Sequence, residues 1–279
     1  MGWRICKYIQ HLFYRKHREG HGIHSPYLFE FVNQVVFNGG GVDIPAPILS
    51  AHRELRKERG IIPAAGGNNP TGGNNPRGAG SKVDSKETRT IQSFVRSSSV
   101  SLDQGALLFR TAHWLNPDMI LELGTGLGVS TLYLAGGVGE TSDREPDSFQ
   151  VHTIEGDPVR ADFSRQLFKR FGLNGVKVHC GDVDRMVEEL AGKLPGRFLA
   201  FVDANHRYEP TLRYLRLLIN SAGEEAVIIM DDIYWSKGMY RAWKEVISWP
   251  GVRVSIDLFH MGILLLRRDL QKTHLKIKI

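Results

Sequence analysis

The stretch Leu-Glu-Leu-Gly-Thr-Gly-Leu-Gly-Val-Ser-Thr, residues 121–131, decides the fold. A short apolar run, MILEL (119–123), passes directly into glycines at 124, 126 and 128 and then into a helical pattern. Glycine permits a tight strand-to-helix turn and lets a ligand lie against bare backbone. Register separates the nucleotide-binding classes. A dinucleotide fingerprint begun at Gly124 needs its third glycine at position 129, where Val129 stands, and no Lys-Ser/Thr pair follows the turn as a P-loop requires. Glu122 beside the turn would repel a pyrophosphate but suits a cationic sulfonium and ammonium. That favours S-adenosylmethionine over NAD, with Glu122, Gly124, Thr125, Gly126, Gly128 and Ser130 as its first contacts.

Outward from this turn, apolar runs alternate with helical stretches. The runs are VHTIE (151–155), VKVHC (176–180), FLAFVD (198–203) and AVIIMD (226–231), and the helical stretches lie near 128–136, 158–171, 183–191, 209–221 and 238–248. Near-continuous hydrophobic strands between helices indicate a parallel sheet covered on both faces. The chain closes with VRVSIDL (252–258) and GILLLRR (262–268), too close together for a parallel crossover, so an antiparallel pair is expected. The fold class is α/β: a Rossmann-like, seven-stranded, mostly parallel sheet with an antiparallel terminal hairpin and a helical N-terminal extension.

Two more strand ends carry acids. Glu155 precedes Gly156, then Asp157 and Pro158, which read as an N-cap with proline at the first helical position. This fixes Glu155 at the strand's carboxyl end, where an acid binds ribose hydroxyls; the alternative is a solvated strand-end acid. The polar insert 137–149 accounts for its distance from the glycines. Asp182, after Cys180 and Gly181, either accepts from the adenine amino group or caps the next helix.

Residues 1–60 read as helical, with Ile5, Ile9, Leu12 and Phe13 at helical spacing and further segments over 25–36 and 47–59. Residues 61–80 repeat GGNNP and cannot bury apolar surface, so they are a mobile loop: a linker, or a lid hinged at 78–81. The unit from 81 to 279 carries the cofactor turn. The net charge of +6 is not spread evenly: residues 1–20 carry +4, residues 263–279 carry +4, and the stretch between them −2. A nucleic-acid enzyme would place its positive field around the cleft, so nucleic acid is demoted as a partner. Two scattered cysteines, Cys6 and Cys180, make neither a disulfide framework nor a zinc site. With no bilayer-length apolar run and no signal-peptide pattern at the start, a cytoplasmic protein is expected.

Together these residues resemble the S-adenosylmethionine-dependent methyltransferases of class I, in particular the catechol, caffeoyl-CoA, sugar and macrolide O-methyltransferases. The resemblance covers roughly residues 100–268, including DQGALL (103–108) as the helix ahead of the glycine turn. It implies that Asp203, Asp231 and Asp232, in FVDANHRYEP (201–210) and IIMDDIYW (228–235), hold a divalent cation such as Mg²⁺. It also implies an aromatic wall for the acceptor at Trp235. Where the catechol type places lysine, this chain has His206, a competent general base at neutral pH. Asp203 could instead hold the cofactor ammonium without metal, and Asp231 or Asp232 could cap the helix starting near Ser236.

The leading expectation is methylation of a small hydroxylated acceptor, with Asp203 and His206 catalytic. An NAD-dependent oxidoreductase is a second reading. A third is a non-catalytic protein bound to a membrane surface or a partner through the basic amphipathic stretch 3–18, set against a helix that packs on its own domain or on a second subunit.

Overall fold

The computed structural model describes residues 2–13, 22–62, 89–139, 150–223 and 225–278. Three helices come first: α1 (Gly2–Leu12), α2 (Pro26–Phe31), which continues into a π-helical turn at Val32–Val36, and α3 (Ala46–Leu55). A small antiparallel pair follows, β1 (Ile61–Ile62) with β2 (Arg89–Thr90). The expected loop over 61–80 therefore begins in paired backbone, and from residue 63 onward it lies outside the described residues, as do the hinge proposed at 78–81 and most of the insert 137–149.

Next come α4 (Ile91–Ser98), α5 (Leu102–Leu115), β3 (Met119–Leu123), α6 (Val129–Gly139), β4 (Gln150–Glu155), α7 (Pro158–Arg170), β5 (Val176–Cys180) and α8 (Val183–Ala191). The chain continues with β6 (Phe198–Val202), α9 (Tyr208–Asn220), β7 (Val227–Asp231), α10 (Lys237–Val246), β8 (Val254–Asp257), β9 (Met261–Leu265) and β10 (Thr273–Lys276). The sheet runs β10-β8-β9-β7-β6-β3-β4-β5. Only β9 is antiparallel, to both β7 and β8, as the short final connection requires.

The sheet has eight strands where the sequence pattern suggests seven. The extra one, β10, pairs in parallel with β8 at the edge; its Lys-Ile-Lys surroundings read as a basic tail, yet Leu275 and Ile277 are buried. Helix α4 is also absent from the sequence reading. Thr90 caps it, accepting from Ser93 N, and its Phe94 and Val95 are buried. Ser25 caps α2 ahead of Pro26, and Asp157 caps α7 ahead of Pro158 as its sequence suggests.

Alternate residues along each strand feed opposite cores. In β6, Leu199 and Phe201 pack with Ile120, Phe109 and Leu134 on one face, while Ala200 and Val202 pack with Leu121, Tyr214 and Leu215 on the other. This double burial explains the unbroken hydrophobic runs. Strand order reverses at β3, which lies between β4 and β6, so the turn after β3 stands at the topological switch point where ligands bind in open α/β sheets.

Gly124, at φ +101°, brings this turn against the chain leaving β6: a Cβ there would lie 2.2 Å from the Asp203 carbonyl oxygen. Gly124→Ala should therefore cost more than about 2 kcal/mol in urea unfolding, because backbone must move. Gly172→Ala, also at positive φ but facing open space, should cost about 1 kcal/mol. Equal costs would mean that the contact beneath the turn is not tight.

Candidate functional site

The turn is tied down from below. Gly124 N and Thr125 N both donate to the Ile154 carbonyl, at 3.0 and 3.1 Å, and Gly128 N donates to Thr125 O at 2.8 Å. Glu122 is fully buried, and its carboxylate accepts from three hydroxyls: Ser130 (2.6 Å), Thr131 (2.5 Å) and Thr153 (2.6 Å). Burial pushes its pKa up to about 7 against the pull of those hydroxyls. Both oxygens of Glu122, and the Ser130 hydroxyl, are thus engaged inside the protein. They shape the floor of the turn.

Gly126 is the open glycine. A Cβ there would meet only Phe94 of α4, at 3.5 Å, whereas one at Gly128 would strike Phe168 at 2.7 Å. Gly126 N donates to Glu155 Oε2 and Asp157 N to Glu155 Oε1, each at 2.8 Å. Glu155 is nearly buried, which raises its pKa, while Arg160 at 3.2 Å and the two amides favour its charged form. It therefore stands beside the open glycine and is not a solvated acid. Arg160 and Arg89 both lie over the Phe94 ring, so α4 and α7 together wall this side. Asp182 caps α8 through Arg185 N and is exposed.

The acids of β6 and β7 gather at the adjacent strand ends. His206 Nε2 lies 3.3 Å from Asp203 Oδ1. Burial works against charge on His206, but Asp203 by hydrogen bond and charge, with Asp232 behind it, raises its pKa overall. Asp231 is buried with Oδ1 lacking any hydrogen-bond partner among the described residues. Burial, then Asp203 and Asp232, holds its pKa well above the carboxylate range. Asp232 is likewise raised by burial and by Asp203, with His206 and Arg4 opposing. Neither aspartate caps α10; Ser236 does, accepting from Met239 N at 3.1 Å.

Three mutually repelling acids with an orphaned oxygen make a demand for positive charge, and an all-oxygen donor set suits a hard divalent cation. Among the described residues, however, no three His, Cys, Asp or Glu groups already close around one cation-sized point. Asp203 faces His206, and Asp232 faces Arg4, 3.5 Å away. Asn205 (φ +69°), His206 (φ +39°) and Asp232 (φ +53°) all hold left-handed backbone. Such conformations cost of order 1–3 kcal/mol each for residues with side chains.

Arg4 was not legible as a site residue. Helix α1 packs on its own domain: Trp3 meets Tyr234 and Tyr240, and Arg4 lies 5.1 Å over Trp235, which is 47% exposed. Phe94, Arg160 and Arg89 also escaped the sequence reading, since nothing in their spacing points to the glycine turn.

Residues 121–233 match a family described as a methyltransferase domain. A catechol O-methyltransferase of Mycobacterium tuberculosis is 32% identical over 143 residues, which span 50% of this chain and 60% of that enzyme. The chain thus matches only about three fifths of that curated relative's length. Two solved structures are similar in fold. A methyltransferase of Podospora anserina, bound to SAH, has a TM-score of 0.56 at 18% identity, covering 88% of this chain and 99% of that one. The O-methyltransferase TomG of Streptomyces achromogenes, in complex with SAM, has a TM-score of 0.55 at 17% identity, covering 84% and 95%. The chain shares its fold with these two methyltransferases.

Replacing Glu122 by Gln tests the buried floor. The wild-type carboxyl binds its proton more tightly folded (about 7) than unfolded (4.5), so it makes stability fall as pH rises through that window. Glu122→Gln should flatten the part of the melting-temperature decline between pH 5 and 8 that comes from this group. Identical pH profiles for the two proteins would show that Glu122 does not titrate there.

Proposed function

We propose that this chain, built around a methyltransferase domain, is an S-adenosylmethionine-dependent O-methyltransferase acting on a small hydroxylated acceptor. The observation that carries the reading is the juxtaposition of an open glycine turn at the sheet's switch point with the Asp203–His206 pair on the next strand. Residues 81–279 would carry the reaction, 61–80 the connection, and 1–60 would close the acceptor side.

S-adenosylmethionine would lie along Gly124, Thr125, Gly126 and Gly128. The ribose hydroxyls would reach Glu155, whose bonds to Gly126 N and Asp157 N already hold it at this edge. Asp182 keeps an oxygen beyond its cap for the adenine amino group. Glu122 and Ser130 act from beneath, by fixing the turn and lending it negative potential.

The reaction is an in-line displacement: an acceptor oxygen attacks the sulfonium methyl, and S-adenosylhomocysteine leaves. The protein's part is alignment and deprotonation. With Nε2–H held toward Asp203, His206 presents Nδ1 as the lone pair that takes the acceptor's proton. Trp235 and Arg4 form the outer wall. Asp203, Asp231 and Asp232 would hold a divalent cation, which when bound orients the acceptor hydroxyl and lowers its pKa.

The test is transfer of labelled methyl from S-adenosylmethionine to pooled hydroxylated metabolites. Turnover is expected with Mg²⁺ or Mn²⁺, suppressed by chelator and restored by adding metal back. His206→Ala should lower kcat by about 10²–10⁴-fold, and Asp232→Ala should abolish turnover while S-adenosylhomocysteine binding survives in both. Full activity in excess chelator would return the three acids to electrostatic and cofactor roles. Unaltered turnover in His206→Ala would remove it as the base.

A further inference from the structure

Three helices border a hollow of about 480 Å³ that is lined almost wholly by cations. Arg53, Arg56 and Lys57 come from the end of α3 and the turn after it, Arg96 from α4, and Leu102 and Asp103 from the first turn of α5. The hollow is not part of the cofactor cleft. Phe94 of α4 faces Gly126, and Arg96, two places further along, lies on a different face of that helix.

None of the four cations has an ion-pair partner among the described residues. The acids nearest to them in sequence are turned elsewhere: Glu54 pairs with Arg170 at 3.1 Å and accepts from Ser50, and Glu58 accepts from Gly60 N at 3.1 Å. Asp103 is the single acid on the border. The segment 63–88 is a poor counter-ion, since it carries three cations against two acids. Residues 21–262 total −2, so four cations in one hollow are a local concentration and not a share of a basic surface. A concavity lined by one sign of charge draws in ions of the other.

The cations also stand on fixed backbone. His52 of α3 is wholly buried and bonds the Tyr133 hydroxyl of α6 at 2.7 Å, and the charges of Arg53 and Arg56 reach that hydroxyl. A capping box holds the first turn of α5, whose dipole adds positive potential at the border. Guanidinium forks take phosphate oxygens in pairs. The volume is that of a small-molecule site, whereas a nucleic-acid strand calls for a longer basic stripe.

We infer that the hollow between α3, α4 and α5 binds a terminal diphosphate, either free or at the end of a small organic molecule. The terminal phosphate matters, because it carries a second charge that the paired diesters of a dinucleotide lack. The site is separate from the glycine turn, and the inference does not depend on the methyl-transfer reading.

The experiment is titration calorimetry of the full chain at low ionic strength with uridine diphosphate and with inorganic pyrophosphate, each alone and with S-adenosylhomocysteine present in excess. One saturable site per chain is expected, unaffected by S-adenosylhomocysteine. Uridine diphosphate will be the tighter probe where the terminus belongs to an organic molecule, and pyrophosphate where it is free. Arg56→Gln and Arg96→Gln should each weaken binding about tenfold, the worth of a charge-assisted hydrogen bond. Asp103→Asn should tighten it, and Lys244→Gln, on α10, should leave it unchanged. Each arginine variant should melt no lower than wild type without ligand, since a repelling charge is gone. No saturable binding by the wild type, binding that survives both arginine changes, or displacement by S-adenosylhomocysteine would overturn the inference. So would tighter, Arg96-dependent binding of a single-stranded oligonucleotide, since the hollow would then belong to a nucleic-acid surface.

Discussion

A carboxylate shut away from water is stable only where other groups replace the water, and Glu122 sits wholly inside the protein with three hydroxyls doing so. Those hydroxyls come from α6 and from β4, while Glu122 itself belongs to β3. One side chain therefore joins the strand before the glycine turn, the helix after it and the neighbouring strand. The backbone bonds from Gly124 and Thr125 to Ile154 repeat the same connection. With the turn held at both levels, Gly126 can stay bare.

The same turn fixes the second half of the site. Because Gly124 packs on the Asp203 carbonyl, the end of β6 cannot shift without moving the glycine turn. Asp203 then orients His206, and the two aspartates of β7 stand alongside. Here the protein keeps unfavourable features together: left-handed backbone at three residues and acids that raise one another's pKa. Strain and repulsion of this kind persist where the surroundings over-determine them, and they collect at functional sites. Arg4 relieves part of the charge from a helix more than two hundred residues away in sequence.

The central architecture was legible because its signals are local. Doubly buried strands show as apolar runs, and turn glycines and capping residues act within a few positions. Strand β10 was not, because a four-residue edge strand with one buried face looks like a basic tail. Helix α4 was missed because it follows directly on the Gly/Asn-rich segment and has only eight residues. Within the site, residues at strand ends could be placed by counting along the chain. Arg4 and Phe94 could not, since their positions depend on how whole helices dock. Glu122 was found by sequence, but its three hydroxyl partners, on the following helix and the neighbouring strand, were not, because they meet it only once the sheet is assembled.

The central claim is that the turn at 124–128 is built for S-adenosylmethionine. Titration calorimetry with S-adenosylhomocysteine and with NAD, on the wild type and on Gly126→Val, tests it most directly. The account predicts micromolar binding of S-adenosylhomocysteine, none of NAD, and loss of binding in the variant, whose side chain fills the space left by Gly126. Tight NAD binding with no response to S-adenosylhomocysteine would contradict it.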